Sequence, residues 1–87
     1  MQYKSAVNEL LNLVKNDSSI RIKKAALLSL KQIIPKTKKT LNQLFEILRE
    51  EKDSDIREKI REMLQNIAND LGYKDIKTMI KSMDLKE

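Results

Sequence analysis

Cysteine, histidine and tryptophan are absent from the 87-residue chain, which also holds only one glycine and one proline. Without cysteine or histidine there are no disulfides, no thiolate or imidazole metal ligands, no cysteine nucleophile and no histidine general base. A single glycine leaves no material for a glycine-rich phosphate cradle, and turn residues are too few for β-hairpins. Aromatic residues are scarce: Tyr3, Phe45 and Tyr73. A platform for single-stranded nucleic acid needs several exposed aromatic faces beside its positive charge. The longest unbroken apolar run is Ala25 to Leu28, far short of the roughly 20 residues of a membrane span or the about 7–15 of a secretory core. These features predict no membrane association and a cytoplasmic location.

What is present is charge and helix-forming residues. The composition is 40% apolar and 36% charged, with 18 basic and 13 acidic residues and a net charge of +5. The charge is unevenly placed. Residues 1–40 carry 9 basic and 2 acidic side chains (+7), and residues 41–87 carry 9 basic and 11 acidic (−2). No acidic residue falls between Ser18 and Phe45, a window that contains Arg21, Lys23, Lys24, Lys31, Lys36, Lys38 and Lys39. An asymmetry of this kind points to an anionic partner, or to a solvated lysine-rich face.

Hydrophobic periodicity predicts helices throughout. The first, over about residues 2–15, carries Tyr3, Val7, Leu10, Leu11 and Val14. Asn16-Asp17-Ser18-Ser19 breaks it, with Asp17 placed to cap a second helix that ends near Ile34, before Pro35. A third helix carries Leu41, Leu44, Phe45 and Leu48 and starts at Thr40, in capping-box form with Gln43, or at Thr37. After Asp53-Ser54-Asp55, a fourth carries Ile56, Ile60, Met63, Leu64, Ile67 and Leu71. Gly72 stands where a left-handed residue ends a helix, with Tyr73 folding back over the last turn. A fifth helix, over about 74–84, carries Ile76, Met79, Ile80 and Met83, whose methionines read as core or end-cap filler.

These patterns recur. The stripe Val7, Leu10, Leu11, Val14 returns as Leu41, Leu44, Phe45, Leu48 and again as Ile76, Met79, Ile80, Met83. Asp17-Ser18-Ser19-Ile20-Arg21 returns as Asp53-Ser54-Asp55-Ile56-Arg57. Two matches at nearly one period signal stacked helical hairpins.

The Asp-x-x-Ile-Arg pattern at the opening of the second helix of each hairpin resembles the HEAT-repeat family and the related armadillo-type solenoids. The resemblance implies an all-α, right-handed α-α superhelix of HEAT-like helical hairpins. It would have about five helices, or two and a half repeats: a single domain over 1–87 with hairpins 1–35 and 36–72 and a final helix 73–87. It also implies that Asp17, Arg21, Asp53 and Arg57 form a ladder along the stack, with Ile20 and Ile56 completing the repeat signature. One departure stands out. Lys24 and Lys31 occupy the places that match Ile60 and Ile67. Buried unpaired lysines are too costly, so either the second helix is rotated about its axis or these side chains reach out from the edge of the core.

In such solenoids the second helices line the concave, binding face. Arg21, Lys24, Leu28 and Lys31 fall within about 80° on a helical wheel, and Lys36, Lys38 and Lys39 follow in the loop. Arg21, Lys24, Lys31, Lys36, Lys38 and Lys39 are therefore the candidate binding residues, with no catalytic residue and no metal site. Glu58 and Glu62, at i and i+4, read as surface charges answered by Lys59 and Arg61, because no further ligand motif accompanies them. The resulting expectation is a non-catalytic interaction module or scaffold without a cofactor, whose partner is another protein with an acidic surface. The alternative is a small nucleic-acid-binding protein that contacts backbone phosphates through Lys and Arg. A third reading is self-association, as a homo-oligomer through the open ends of the solenoid.

Overall fold

In the computed structural model, which describes residues 2–86 with side chains from Ala6 onward, five helices follow one another: α1 Gln2–Asn16, α2 Ile20–Ile33, α3 Lys38–Glu50, α4 Ser54–Asp70 and α5 Ile76–Met83. The side chain of Tyr3 lies outside the described residues. No strand occurs among those described.

Each turn is set by local hydrogen bonding. Ser19, not Asp17, caps α2: its hydroxyl accepts from the Ile22 N–H, while the Asp17 carboxylate accepts from the Ser19 N–H at 2.8 Å and holds the turn in front of it. A carboxylate bonded two residues ahead is an Asx-turn, which delays the helix instead of opening it. Pro35 ends α2, because the residue before a proline is pushed to extended geometry, and Ile34 has φ −67°, ψ 126°. Thr37 caps α3 by accepting from the Thr40 N–H, so Thr40 is spent inside the first turn and is buried at 6% exposure. Asp53 caps α4 through the Ile56 N–H at 2.9 Å, and Asp75 caps α5 through the Thr78 N–H at 2.8 Å.

The ends of α4 and α5 share one device. Gly72 (φ 92°) is left-handed, Tyr73 N–H donates to Ala68 C=O and Gly72 N–H to Asn69 C=O, the paired bonds of a Schellman motif. Asp84 (φ 55°) repeats it after α5, with Leu85 N–H donating to Ile80 C=O and Asp84 N–H to Lys81 C=O. Here a non-glycine residue holds the left-handed position, and Leu85 is folded into the core at 7% exposure.

The helices form two antiparallel hairpins stacked as layers. α1 packs on α2 and α3 on α4 within the hairpins, and α1 on α3 and α2 on α4 between them. The molecule measures 33 × 33 × 18 Å, and the short dimension is two packed helices thick. One cluster fills the space between the layers, with Val14, Leu30, Leu41, Leu44, Ile56, Ile60, Leu64 and Met79 fully buried. α5 packs on α4, and its C-terminal end lies at the start of α3, where the Lys86 N–H donates to Asn42 Oδ1 at 2.9 Å.

The lysine departure in the second helix resolves as a rotation. The buried residues of α2 are Ala26, Leu27 and Leu30, and those at the matching depth in α4 are Met63, Leu64 and Ile67. That correspondence runs one residue out of step with the repeat signature, so α2 is turned by about 100° relative to the frame that equates Ile20 with Ile56. Ile20 is accordingly 37% exposed where Ile56 is 0%. Lys23 takes the place of Ile60, and Lys24 and Lys31 move to the edge.

Candidate functional site: the lysine-rimmed groove between the second helices

A shallow groove of about 290 Å³ runs between α2 and α4, over Leu27, Leu28 and Met63, with Lys24, Lys31 and Lys59 along its edges. It continues past Lys31, Met63 and Asn66 to Lys36 and Asp70 at the far end of α2. Leu28 stands on it at 71% exposure, the most exposed large apolar side chain among the described residues.

Three of the six candidate binding residues, Lys24, Lys31 and Lys36, thus come together on one surface. The other three do not. Arg21 is exposed at the start of α2 outside the groove, Lys39 is exposed on the first turn of α3, and Lys38 faces Asp84 at 3.9 Å beyond the end of α5. Lys59 and Glu62, not singled out as groove residues from the sequence, also line it. The signal for Lys59 was available in the fourth helix, because 59 and 63 share one face at i, i+4 spacing.

The ion pairs reveal where the charge asymmetry goes. Lys15 meets Glu46 at 2.7 Å, Lys23 meets Glu51 at 2.7 Å, Lys24 meets Asp55, Lys36 meets Asp70 at 3.0 Å, and Lys38 meets Asp84 at 3.9 Å. Every one of these joins a lysine from residues 1–40 to an acid from residues 41–87. The basic and acidic halves are complementary to each other across the stack, so part of the asymmetry is internal. Hydrogen bonds and charge from the partner hold the Lys15 and Lys24 ammonium groups above the ordinary 10.5, and lower Glu46 from 4.5 and Asp55 from 3.8. These pairs are exposed and weak. Arg21, Lys31, Lys39 and Lys59 have no carboxylate within 4.0 Å among the described residues.

The pair Lys23–Glu51 differs, because its side chains are 13% and 5% exposed. Burial pushes the Glu51 carboxyl up, but hydrogen bonds from Lys23 and the Asp53 N–H, with the Lys23 charge, outweigh it and bring the group below 4.5. Beside it, Arg57 donates from Nη1 to the carbonyls of Leu48 and Glu51, closing the C-terminal end of α3. The ladder implied for Asp17, Arg21, Asp53 and Arg57 is not formed. Asp17 and Asp53 bond to backbone N–H groups of their own turns, Arg57 bonds to backbone carbonyls, and the Arg21 side chain makes no hydrogen bond among the described residues. The rotation of α2 leaves Arg21 exposed, and Lys23–Glu51 supplies a buried ion pair between the repeats.

No group of three or more acidic residues able to hold a metal ion occurs among the described residues, and none of their helices is long and apolar enough to cross a membrane. Phe45 is buried at 4% exposure, and Tyr73 packs against the core, so neither offers an open stacking face.

Paired antiparallel helices, stacked hairpin on hairpin with equivalent helices side by side, define an α-solenoid. A family model described as HEAT repeats matches residues 1–65, about three quarters of the chain, and the chain belongs to the HEAT-repeat family. The match ends within α4, and α5 lies beyond it. Comparison with curated proteins gave no match, and neither did comparison with solved structures. HEAT repeats are in general protein-interaction scaffolds and typically non-catalytic.

Proposed function

We propose that this protein is a non-catalytic protein-interaction module whose binding face is the groove between α2 and α4, and that its partner presents an acidic surface there. The observation that carries the reading is the arrangement around Leu28: a 71% exposed leucine with Lys24, Lys31 and Lys59 along the same groove. An apolar anchor flanked by three lysines, with Glu62 the one acid on the lining, suits a partner segment that places an apolar side chain on Leu28 and Met63 and carboxylates against the lysines. Lys31 and Lys59 are unpaired among the described residues, and the surface pairs of Lys24 and Lys36 exchange readily for a partner's carboxylates because exposed pairs contribute little.

The test is affinity capture with the wild-type chain and with Lys24→Glu/Lys31→Glu, each with and without nuclease. This reading expects an acidic protein retained by the wild type, lost by the variant and indifferent to nuclease. Retention by both proteins would overturn it. Capture that nuclease abolishes would transfer the groove to nucleic-acid backbone contacts, whose signature is a steep salt dependence.

A further inference from the structure

The chain uses arginine sparingly, with four arginines against fourteen lysines. Three of the four, Arg49, Arg57 and Arg61, line a single groove of about 300 Å³ at the opposite side of α4 from the lysine groove, between α3, α4 and α5. Its walls are apolar: Leu48 from α3 and Ile76 and Ile80 from α5, each half-buried, over the buried ring of Phe45. Helix spacing explains the convergence. Residues 45, 48 and 49 share one face of α3, 57 and 61 share one face of α4, and 76 and 80 share one face of α5.

No aspartate or glutamate lines this groove. None of the three arginines has a carboxylate within 4.0 Å among the described residues, whereas five lysines are paired across the stack. Arg57 spends Nη1 on the end of α3. The rest of its fork, and both Arg49 and Arg61, which are exposed, remain open. Arginine is the side chain suited to planar, bidentate recognition of carboxylate, and lysine is not interchangeable with it at such a site.

We infer that this groove is a second docking site, distinct from the lysine groove, for an acidic protein segment that inserts one bulky apolar side chain between Leu48 and Ile80 and sets adjacent carboxylates on Arg49 and Arg61. Charge complementarity selects the anion, and the apolar walls select its body. Nucleic acid fits the arginines but not the walls, because no exposed aromatic stands beside them to stack a base.

The experiment is an NMR titration of the full chain with a short capped peptide that carries one leucine between pairs of glutamates. The expected dissociation constant is on the order of 0.1–1 mM, since one anchor and a few charge contacts are all that offset the cost of association. Shifts should concentrate on Arg49, Arg61, Leu48 and Ile80. Replacing the peptide's leucine by serine, or its glutamates by glutamines, should each weaken binding by about tenfold or more, as should Arg49→Ser/Arg61→Ser in the protein. Both substituted positions are exposed, so an unchanged circular dichroism spectrum and urea midpoint confirm that the variant is folded. Shifts confined to Leu28, Lys31 and Met63, equal affinity for the glutamine peptide, or full binding by the variant would each overturn the proposal. So would binding of a duplex oligonucleotide at these residues with none of the peptide.

Discussion

The Lys23 ammonium sits 2.7 Å from the Glu51 carboxylate, joining the first turn of α2 to the turn between α3 and α4 with both side chains nearly out of solvent. It occupies, in the first hairpin, the depth that Ile60 fills in the second. No side-chain N or O buried among the described residues lacks a hydrogen-bond partner, and this pair is the costliest of them to break. Removing one member leaves a desolvated charge, whereas replacing both with apolar side chains of similar volume leaves neither a charge nor a cavity. Lys23→Met should therefore lower stability by about 3 kcal/mol. Lys23→Met/Glu51→Leu should recover most of that loss. Urea midpoints at constant m-value measure both, and a double variant no more stable than the single would show that the pair matters for packing and not for charge.

Acid should release the same contact. The folded-state pKa of Glu51 lies below its ordinary 4.5. The stabilisation is thus fully present above about pH 5 and is lost as the pH falls through and below that ordinary value. Glu46 and Asp55 are also lowered, but by surface pairs that salt screens. In about 0.5 M salt, most of the ion-pair share of the remaining pH slope should belong to Glu51, and Glu51→Gln should flatten it. Thermal midpoints at pH 3.5, 4.5 and 6 measure the slope. A Gln variant with the wild-type slope would remove Glu51 from the acid transition.

Glu51 and Lys23 also show why the sequence was only partly readable. Most of the stripes of α1, α3, α4 and α5 were legible because an amphipathic helix declares its own buried face, but Leu71 lies past the end of α4 and is exposed, and Ile47 is buried off the stripe of α3. Gly72 was legible because only a positive φ explains it there. The register of α2 was not. Asp17 and Asp53 begin the same Asp-x-x-Ile-Arg pattern, with Ser19 in one where Asp55 stands in the other, but Asp17 bonds to the Ser19 N–H while Asp53 bonds to the Ile56 N–H. That one-residue difference in reach decides which lysine is turned inward. The charge asymmetry was visible at once, but its destination was not, because ion pairs across a stack depend on the spatial neighbour rather than on sequence spacing. The arginine groove was hidden for the same reason: its residues come from three helices, and its apolar walls lie on the same stripes as the core.

Gly72 and Asp84 end α4 and α5 in the same backbone conformation with different residues. At Gly72 an added Cβ would meet nothing within 4 Å, so the cost of Gly72→Ala is that of the left-handed backbone alone, about 1 kcal/mol. At Asp84 the opposite change should help. Asp84→Gly relieves φ 55° at the expense of an exposed contact to Lys38 at 3.9 Å, and should raise stability by about 0.5 kcal/mol. Urea denaturation of both variants checks the signs, and a destabilised Asp84→Gly would mean that the Lys38 contact outweighs the backbone gain.

Arg21 and Arg57 hold the same place in the repeat signature and should respond differently to removal. Arg57 satisfies two carbonyls at the end of α3, so Arg57→Ala strands partly buried acceptors and should cost about 2 kcal/mol. Arg21 makes no such bond, and Arg21→Ala should stay within about 0.5 kcal/mol of wild type. Equal losses at the two positions would restore the ladder that the rotation of α2 removes.

Leu28 separates folding from binding. At 71% exposure it contributes little to the core, so Leu28→Ser should change stability by less than about 0.5 kcal/mol. The same substitution removes the apolar centre of the lysine groove while leaving Lys24, Lys31 and Lys59 in place. If the groove binds an acidic protein through an apolar anchor, Leu28→Ser should abolish capture of that partner as completely as Lys24→Glu/Lys31→Glu does. If phosphates are the ligand, the lysines suffice, and Leu28→Ser should retain binding while charge reversal loses it. Leu28→Ser thus distinguishes the two ligand classes in a protein whose fold it leaves intact, with urea midpoints of the variants as the control.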